Sequence, residues 1–229
     1  MPDADLDIAR RRSDSARAKG RSTLTRAEVV RAGIKLLDTD GVEKLSMRRL
    51  AAALGTGPST LYWHVKDKDE LLLAILDDSV RDIAVHSEGE WDVLLLDALV
   101  RCYEILIPRP ALVDVLWSSA WQLGPEILRV ADGLIALIAR SGLPHEEVAD
   151  AYVGVIGLLY GFAGASRGAA GNPRFSESEP LPETLDTLQK FPHLLRFGPA
   201  IAKDSLATQF IYAIERLIAG IKVRVAELS

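Results

Sequence analysis

Between Arg48 and Lys68 the sequence gathers side chains suited to a polyanionic duplex. Ser59, Thr60, Tyr62, Trp63 and His64 crowd into one short stretch directly after Pro58. Three aromatic rings in succession gain nothing from facing water. Against sugar, phosphate and thymine methyl groups, ring edges pack and OH or NH tips hydrogen-bond. Arg48 offers the planar guanidinium fork that matches guanine O6 and N7. Lys66 and Lys68 stand where backbone phosphates would run. The competing reading is a small helical subdomain in which Tyr62 and Trp63 are simply buried.

Presenting these groups requires two short helices held at an angle. Thr25-Arg26-Ala27-Glu28 has capping-box form and opens a first helix. Val29, Gly33, Leu36 and Leu37 make its inner face, and Gly41 ends it. Ser46 caps a second helix, Met47 to Leu54, stopped by Gly55. The turn Gly55-Thr56-Gly57 leads to Pro58, a favourable first helical position, and a third helix running to about His64. Leu50, Leu54, Leu61 and Val65 then pack inward against Val29 and Leu36. Helix, tight glycine turn and short helix is the layout of a helix-turn-helix, whose second helix enters the major groove.

The rest of the chain reads as helical. Asp67-Lys68-Asp69-Glu70 has capping-box form and predicts a long helix from Lys68 to about Val85. Further helices are expected near 91–107, 110–120, 125–140, 144–168 and 203–227, and a loop over 170–182. Period-2 alternation is almost absent, so the fold class is all-α.

Charge separates the front of the chain from its body. Residues 10–68 carry 14 Lys and Arg against 6 Asp and Glu, whereas residues 71–229 carry 13 against 21. A basic front on an acidic body suggests that only the front meets a polyanion. Residues 1–22 read as a flexible basic arm, through Arg10, Arg11, Arg12, Arg17, Lys19 and Arg21, that either touches DNA or merely solubilises the chain. The 229 residues, 48% hydrophobic and 26% charged, exclude a disordered chain, a fibre and a disulfide mini-protein. The single Cys102 forms no internal disulfide, and the charged first 22 residues are no secretory signal, so a cytoplasmic location is expected.

The run Leu45-Ser46-Met47-Arg48-Arg49-Leu50-Ala51, the glycine turn, and Leu61-Tyr62-Trp63-His64-Val65-Lys66-Asp67-Lys68-Asp69-Glu70-Leu71-Leu72 resemble the TetR family of transcriptional repressors, in its tetracycline-repressor subclass. The resemblance covers about residues 24–76. A weaker one runs from about 91 to 228 and includes Leu217-Ile218-Ala219-Gly220-Ile221. It implies a DNA-binding domain over 23–68 and a helical effector-binding and dimerisation domain over 69–229. It further implies that Arg48, Pro58, Ser59, Thr60, Tyr62, Trp63, His64 and Lys68 touch double-stranded operator DNA. Met47 and Pro58 replace polar side chains at base-reading positions of that subclass, so the operator should differ.

The same resemblance implies a homodimer joined through helices near 144–168 and 203–227. Gly154, Gly157, Gly161, Gly164 and Gly168 recur at spacings of 3 and 4 and allow a neighbouring helix, of this chain or of a second copy, to approach closely. Phe210, Ile214, Leu217 and Ile221 supply the apolar stripe opposite. His86, Tyr103, Trp117, Trp121, Gln122 and Tyr152 are the candidates to line an effector pocket, which favours a flat, largely apolar small molecule. Ala84, Ala98 and the Val115-Leu116 pair fall where tetracycline repressors use polar and metal-linked side chains, so tetracycline is not the expected effector. The function expected is a repressor released from its operator by a small molecule; the alternative is a DNA-binding regulator without such a ligand.

Other signals lead elsewhere. Gly164-Ala165-Ser166-Arg167-Gly168 matches G-x-S-x-G, but a nucleophile elbow needs a strand before the serine, and no enzyme is expected. No cofactor or metal is expected: His145-Glu146-Glu147 lacks the second histidine of H-E-x-x-H, and His193 is isolated. The uncharged stretch 151–166 is shorter than the roughly 20 residues a membrane span needs, so it reads as a buried helix and no membrane partner is expected.

Overall fold

Thr25 begins the first helix by a reciprocal pair of bonds. Its Oγ1 accepts from the Glu28 amide at 3.2 Å, and the Glu28 carboxylate accepts from the Thr25 amide at 2.8 Å. Donation from the Thr25 amide, joined by the Thr25 hydroxyl at 2.8 Å, holds the Glu28 carboxyl below the usual carboxylate range. The structure, a computed structural model, describes residues 24–85, 88–118, 123–171, 187, 189–203 and 205–228. Among the described residues there are ten named helices and no strand, so the fold is all-α. They are α1 (Arg26–Asp40), α2 (Met47–Ala53), α3 (Pro58–Leu61), α4 (Lys68–Ser79), α5 (Trp91–Leu106), α6 (Ala111–Ser118), α7 (Pro125–Ala139), α8 (His145–Gly171), α9 (Pro192–Lys203) and α10 (Leu206–Leu228).

Two compact units divide the chain, one ending at Leu71 and the other starting at Leu72. Helix α4 begins in the first and continues into the second. In the first unit, Val29, Val30, Gly33 and Leu37 of α1 are buried along with Leu45, Leu50, Ala51, Leu61 and Val65. Leu36 and Leu54, expected inside, are only half-buried. In the second unit α8 packs on α5, α6, α7 and α10, and α5 packs on α7 and α10. Leu95, Leu99, Leu134, Ile138, Val155, Phe210 and Ile214 lose essentially all contact with solvent. At roughly 1.5–3 kcal/mol for each fully buried Val, Leu, Ile or Phe, this core is a major favourable contribution to the unit's folding.

Three elements depart from the sequence-based expectation. Helix α3 stops at Leu61 rather than about His64, because the His64 amide turns back to the Leu61 carbonyl at 2.8 Å and tightens the chain. Helix α4 stops at Ser79 rather than Val85: Ser79 Oγ donates to the Ile75 carbonyl at 2.7 Å, and the carbonyls beyond it turn toward Arg129. Helix α9 was not expected, since Pro192 and Pro199 read as breaks. Pro192 occupies the first position, where no amide is needed, and the helix runs through Pro199. The loop expected over 170–182 falls mostly outside the described residues, and α8 extends to Gly171.

Candidate DNA interface and ligand cavity

The first unit presents its aromatic residues outward. Ser46 Oγ caps α2 by accepting from the Arg49 amide at 3.3 Å. Gly55, at φ +62, makes the turn that a Cβ would strain, and the Thr56 amide closes it on the Ala51 carbonyl at 3.0 Å. Pro58 then starts α3. Leu50, Leu61 and Val65 face inward, which forces the side chains between them outward: Trp63 is 88% exposed and Tyr62 54%. Tyr62 and Trp63 are therefore not the buried pair of a structural subdomain. Pro58, Ser59, Thr60 and Lys66 are exposed beside them, and His64 is half-buried.

The cations of this unit divide into two kinds. Arg48 is exposed and has no ion pair among the described residues. Arg49, its neighbour, is held within the fold, donating to the Asp40 carboxylate at 2.6 Å and to the Lys44 carbonyl at 3.3 Å. Lys68, expected at a phosphate, is half-buried and donates to the Val42 carbonyl at 2.6 Å, which ties the start of α4 to the loop after α1. Asp67 Oδ1 caps α4 through the Glu70 amide at 2.8 Å. The Glu70 carboxylate accepts from the Lys66 amide and from Arg26 of α1. Arg26, Glu70 and Lys68 thus fix α4 against the rest of the unit.

The second unit carries a partly open cavity of about 70 Å³. Its wall takes Leu76 and Val80 from the end of α4 and the residue after it, Cys102 and Leu106 from α5, Leu116 from α6, Ile127, Val130, Ala131 and Leu134 from α7, and Tyr152, Ile156, Leu159 and Tyr160 from α8, with Leu123. Of the residues expected to line a pocket, Tyr152 does so. Tyr103 does not: it is buried with its ring stacked on Phe210 at 4.5 Å, and its hydroxyl has no hydrogen-bond partner among the described residues. Trp117 is 67% exposed and meets Tyr160 edge-on at 5.6 Å, on the outer side of α6. His86, Trp121 and Gln122 lie outside the described residues. Sequence reasoning missed Tyr160, whose register eight residues after Tyr152 was the available signal, and the aliphatic majority, which looks like ordinary core.

Burial governs the wall's polar groups. It pushes the Cys102 thiol up to about 12 and raises the Tyr152 and Tyr160 phenols above their ordinary value, Tyr152 and Cys102 adding to the effect on Tyr160. All three stay protonated at neutral pH. No three His, Cys, Asp or Glu side chains come together as a metal site would require, among the described residues. Glu147 is paired with Arg224 instead, at 2.7 and 2.9 Å. Ser166 of the G-x-S-x-G match is buried within α8, its hydroxyl donating to the Ala163 carbonyl at 2.6 Å.

The outer faces of α8 and α10 correct the expected apolar stripe. Phe210, Ile214 and Ile221 are buried within the single chain, and Leu217 packs 3.3 Å from where a Cβ on Gly154 would lie. Gly164 faces Val113. Gly157 and Gly161 are exposed with nothing within 4 Å of a Cβ, and Val153, Tyr212 and Val223 are exposed on α8 and α10. By length and composition His145–Ser166 would suffice to cross a membrane. In the fold Val155, Leu159 and Ala163 of that stretch are buried.

A helix-turn-helix head with outward aromatic and guanidinium side chains, in a chain that also carries a cavity-bearing helical unit, is the architecture of bacterial DNA-binding regulators. Residues 29–75 match the family model for bacterial regulatory proteins of the tetR family, and residues 86–225 match the tetracyclin repressor-like C-terminal domain. The chain belongs to the TetR family. It is 30% identical over 221 residues to the HTH-type transcriptional repressor DrrR1 of Streptomyces coeruleorubidus, covering 90% of this chain and 80% of that one. It is 46% identical over 76 residues to the class D tetracycline repressor protein of Escherichia coli, 31% of this chain and 35% of that protein. Apo ActR from Streptomyces coelicolor shares the fold at a TM-score of 0.76 and 23% identity, covering 92% of this chain and all of ActR. ActR in complex with actinorhodin gives 0.75 at the same identity, covering 91% of this chain and 100% of ActR.

Proposed function

We propose that this chain is a cytoplasmic transcriptional repressor that binds operator DNA as a homodimer and leaves it when an apolar small molecule fills the cavity of the second unit. The observation that carries the reading is the outward display of Tyr62 and Trp63 on a helix-turn-helix, beside an exposed Arg48 that has no ion pair among the described residues. Arg48, Pro58, Ser59, Thr60, Tyr62, Trp63, His64 and Lys66 form the proposed contact surface, with Lys68 positioning α4. Gly157, Gly161, Val153, Tyr212 and Val223 form the proposed dimer face. Support for repression comes from the likeness to DrrR1, named a repressor, and support for a ligand from ActR, solved with actinorhodin.

The cavity supports release by a ligand through its size. About 70 Å³ is roughly half the ~150 Å³ of an engineered apolar cavity that takes benzene. A ring-bearing ligand therefore enters by moving the walls apart, among them Leu76 of α4, a helix whose first residues, 68–71, lie in the first unit. A ligand shifts that equilibrium by as much as it prefers the expanded state. Footprinting on DNA flanking the chain's own coding sequence tests the reading. The expected result is a near-palindrome with half-site centres about 34–36 Å apart or a multiple of that. Uniform, sequence-independent protection would refute it.

A further inference from the structure

No charged side chain stands in the cavity wall, among the described residues. The polar side chains among its described lining residues are Cys102, Tyr152 and Tyr160. Eight residues of helix return the two tyrosines to the same side of α8, and both reach the cavity. Neither hydroxyl has a hydrogen-bond partner among the described residues. An anion or cation seated here would lose part of its hydration and gain no countercharge from the described wall, a larger loss than any single hydrogen bond returns. A wholly apolar ligand would leave two phenol donors unused.

We propose that the cavity takes an uncharged, flat, apolar ligand whose oxygen-bearing edge accepts hydrogen bonds from Tyr152 and Tyr160, and that it rejects charged molecules of the same skeleton. This rests on the reading of the cavity as the effector site. The aliphatic wall supplies affinity by area, and the tyrosine pair fixes which edge of the ligand points toward α8. Because Cys102, Tyr152 and Tyr160 all remain protonated at neutral pH, these groups offer no charge to a ligand.

Calorimetric titration of the full chain with 2-naphthol, naphthalene and naphthalene-2-carboxylate tests this, since the three share one skeleton and differ at one edge. The expected order is 2-naphthol tightest, naphthalene about tenfold weaker for the lost bond, and the carboxylate about a hundredfold weaker or more. The double variant Tyr152→Phe, Tyr160→Phe brings 2-naphthol to the affinity of naphthalene and leaves naphthalene unchanged. A purely structural role for the tyrosines would weaken both probes together. Carboxylate binding as tight as that of 2-naphthol, or no binding of 2-naphthol, overturns the proposal. Titrating the operator complex with 2-naphthol separates the underlying reading: binding without release of DNA leaves the ligand class standing and removes the effector role.

Discussion

Asp77 and Arg129 each cap the helix that carries the other. Asp77, on α4, accepts at Oδ1 from the amides of Glu126 and Ile127 at 2.9 and 3.0 Å, where α7 has no side-chain cap of its own. Arg129, on α7, donates to the carbonyls of Val80, Arg81 and Ile83 just past the end of α4, at 3.2, 2.9 and 2.9 Å. An anion at one helix start and a cation at the other helix end both complement the helix dipoles. Gly124 leaves the room this needs, since a Cβ there would lie 2.3 Å from the Asp77 carboxyl.

Asp77→Ala should therefore lower stability by about 1–2 kcal/mol. Gly124→Ala should lower it by a similar amount, by displacing the same carboxylate. Urea unfolding of the double variant should show a loss clearly smaller than the sum of the two, because both remove one interaction. Full additivity would mean that Gly124 acts independently of the cap.

Arg48 and Arg49 provide a matched comparison for DNA binding. Arg48→Ala should weaken operator affinity by about 1–3 kcal/mol and relax base choice at one position per half-site, with thermal stability unchanged. Arg49→Ala breaks the bonds to Asp40 and the Lys44 carbonyl and should lower stability of the head instead. Removing residues 1–21 should weaken binding to every sequence and flatten its salt dependence. Mobility shifts across a salt series, beside melting curves, separate the three outcomes.

The open glycines and the buried stripe differ in what they should control. Gly157→Leu adds a side chain where one protomer has nothing within 4 Å and removes a helix cost of about 1 kcal/mol. The isolated protomer should tolerate it, while the overpacked dimer seam should weaken by about 1–3 kcal/mol. Phe210→Ala opens a hole beside Tyr103 and Phe162 and should lower folding stability by about 3–5 kcal/mol. Sedimentation showing an unperturbed Gly157→Leu dimer would move the interface elsewhere.

Local rules made the head legible and failed where long-range contacts decide. The Thr25, Ser46 and Asp67 caps and the Gly55 turn are set by residues within three or four positions, and spacing finds them. The end of α4 is set by Arg129, nearly fifty residues away, so periodicity ran past it to Val85. The stripe of Phe210, Ile214 and Ile221 was readable as apolar, but not which of two faces it served, because a buried core and a dimer seam share one period. For the same reason Tyr103 and Trp117 drew a pocket assignment that packing gave to Tyr160, Leu116 and their aliphatic neighbours. The size of the cavity depends on six chain segments at once, and no short window contains them.

Cys102 predicts a pH dependence of stability. Its thiol titrates at 9.0 when unperturbed and is pushed up to about 12 by burial. Below pH 9 the thiol is protonated in both folded and unfolded chains and favours neither. Between about pH 9 and 12 the unfolded chain releases the proton and the folded one does not, so stability falls by up to about 1.4 kcal/mol per pH unit. Cys102→Ala should remove that part of the alkaline slope, though it leaves the parts due to Tyr152 and Tyr160. Chemical denaturation at pH 8 and pH 10 for both proteins gives the difference. Identical slopes would show that the folded thiol ionises as freely as a solvated one.

Tetracycline should not release this protein from its operator. A magnesium chelate needs oxygen or imidazole groups converging on a hard cation. At the positions where the resemblance to tetracycline repressors calls for polar and metal-linked groups, Ala98 and Val115 are buried and Leu116 faces the cavity. The described wall offers two phenols and a thiol, all protonated at neutral pH, and no carboxylate. Seating the chelate would strip water from a divalent cation without replacing it, which the burial of apolar ring area does not offset. His86, the nearest imidazole by sequence, is the one residue whose variant decides a positive result. Titrating the operator complex with tetracycline and excess magnesium should leave the mobility shift intact to high micromolar drug. Release that disappears in His86→Ala would show that this imidazole is needed for a response to the chelate.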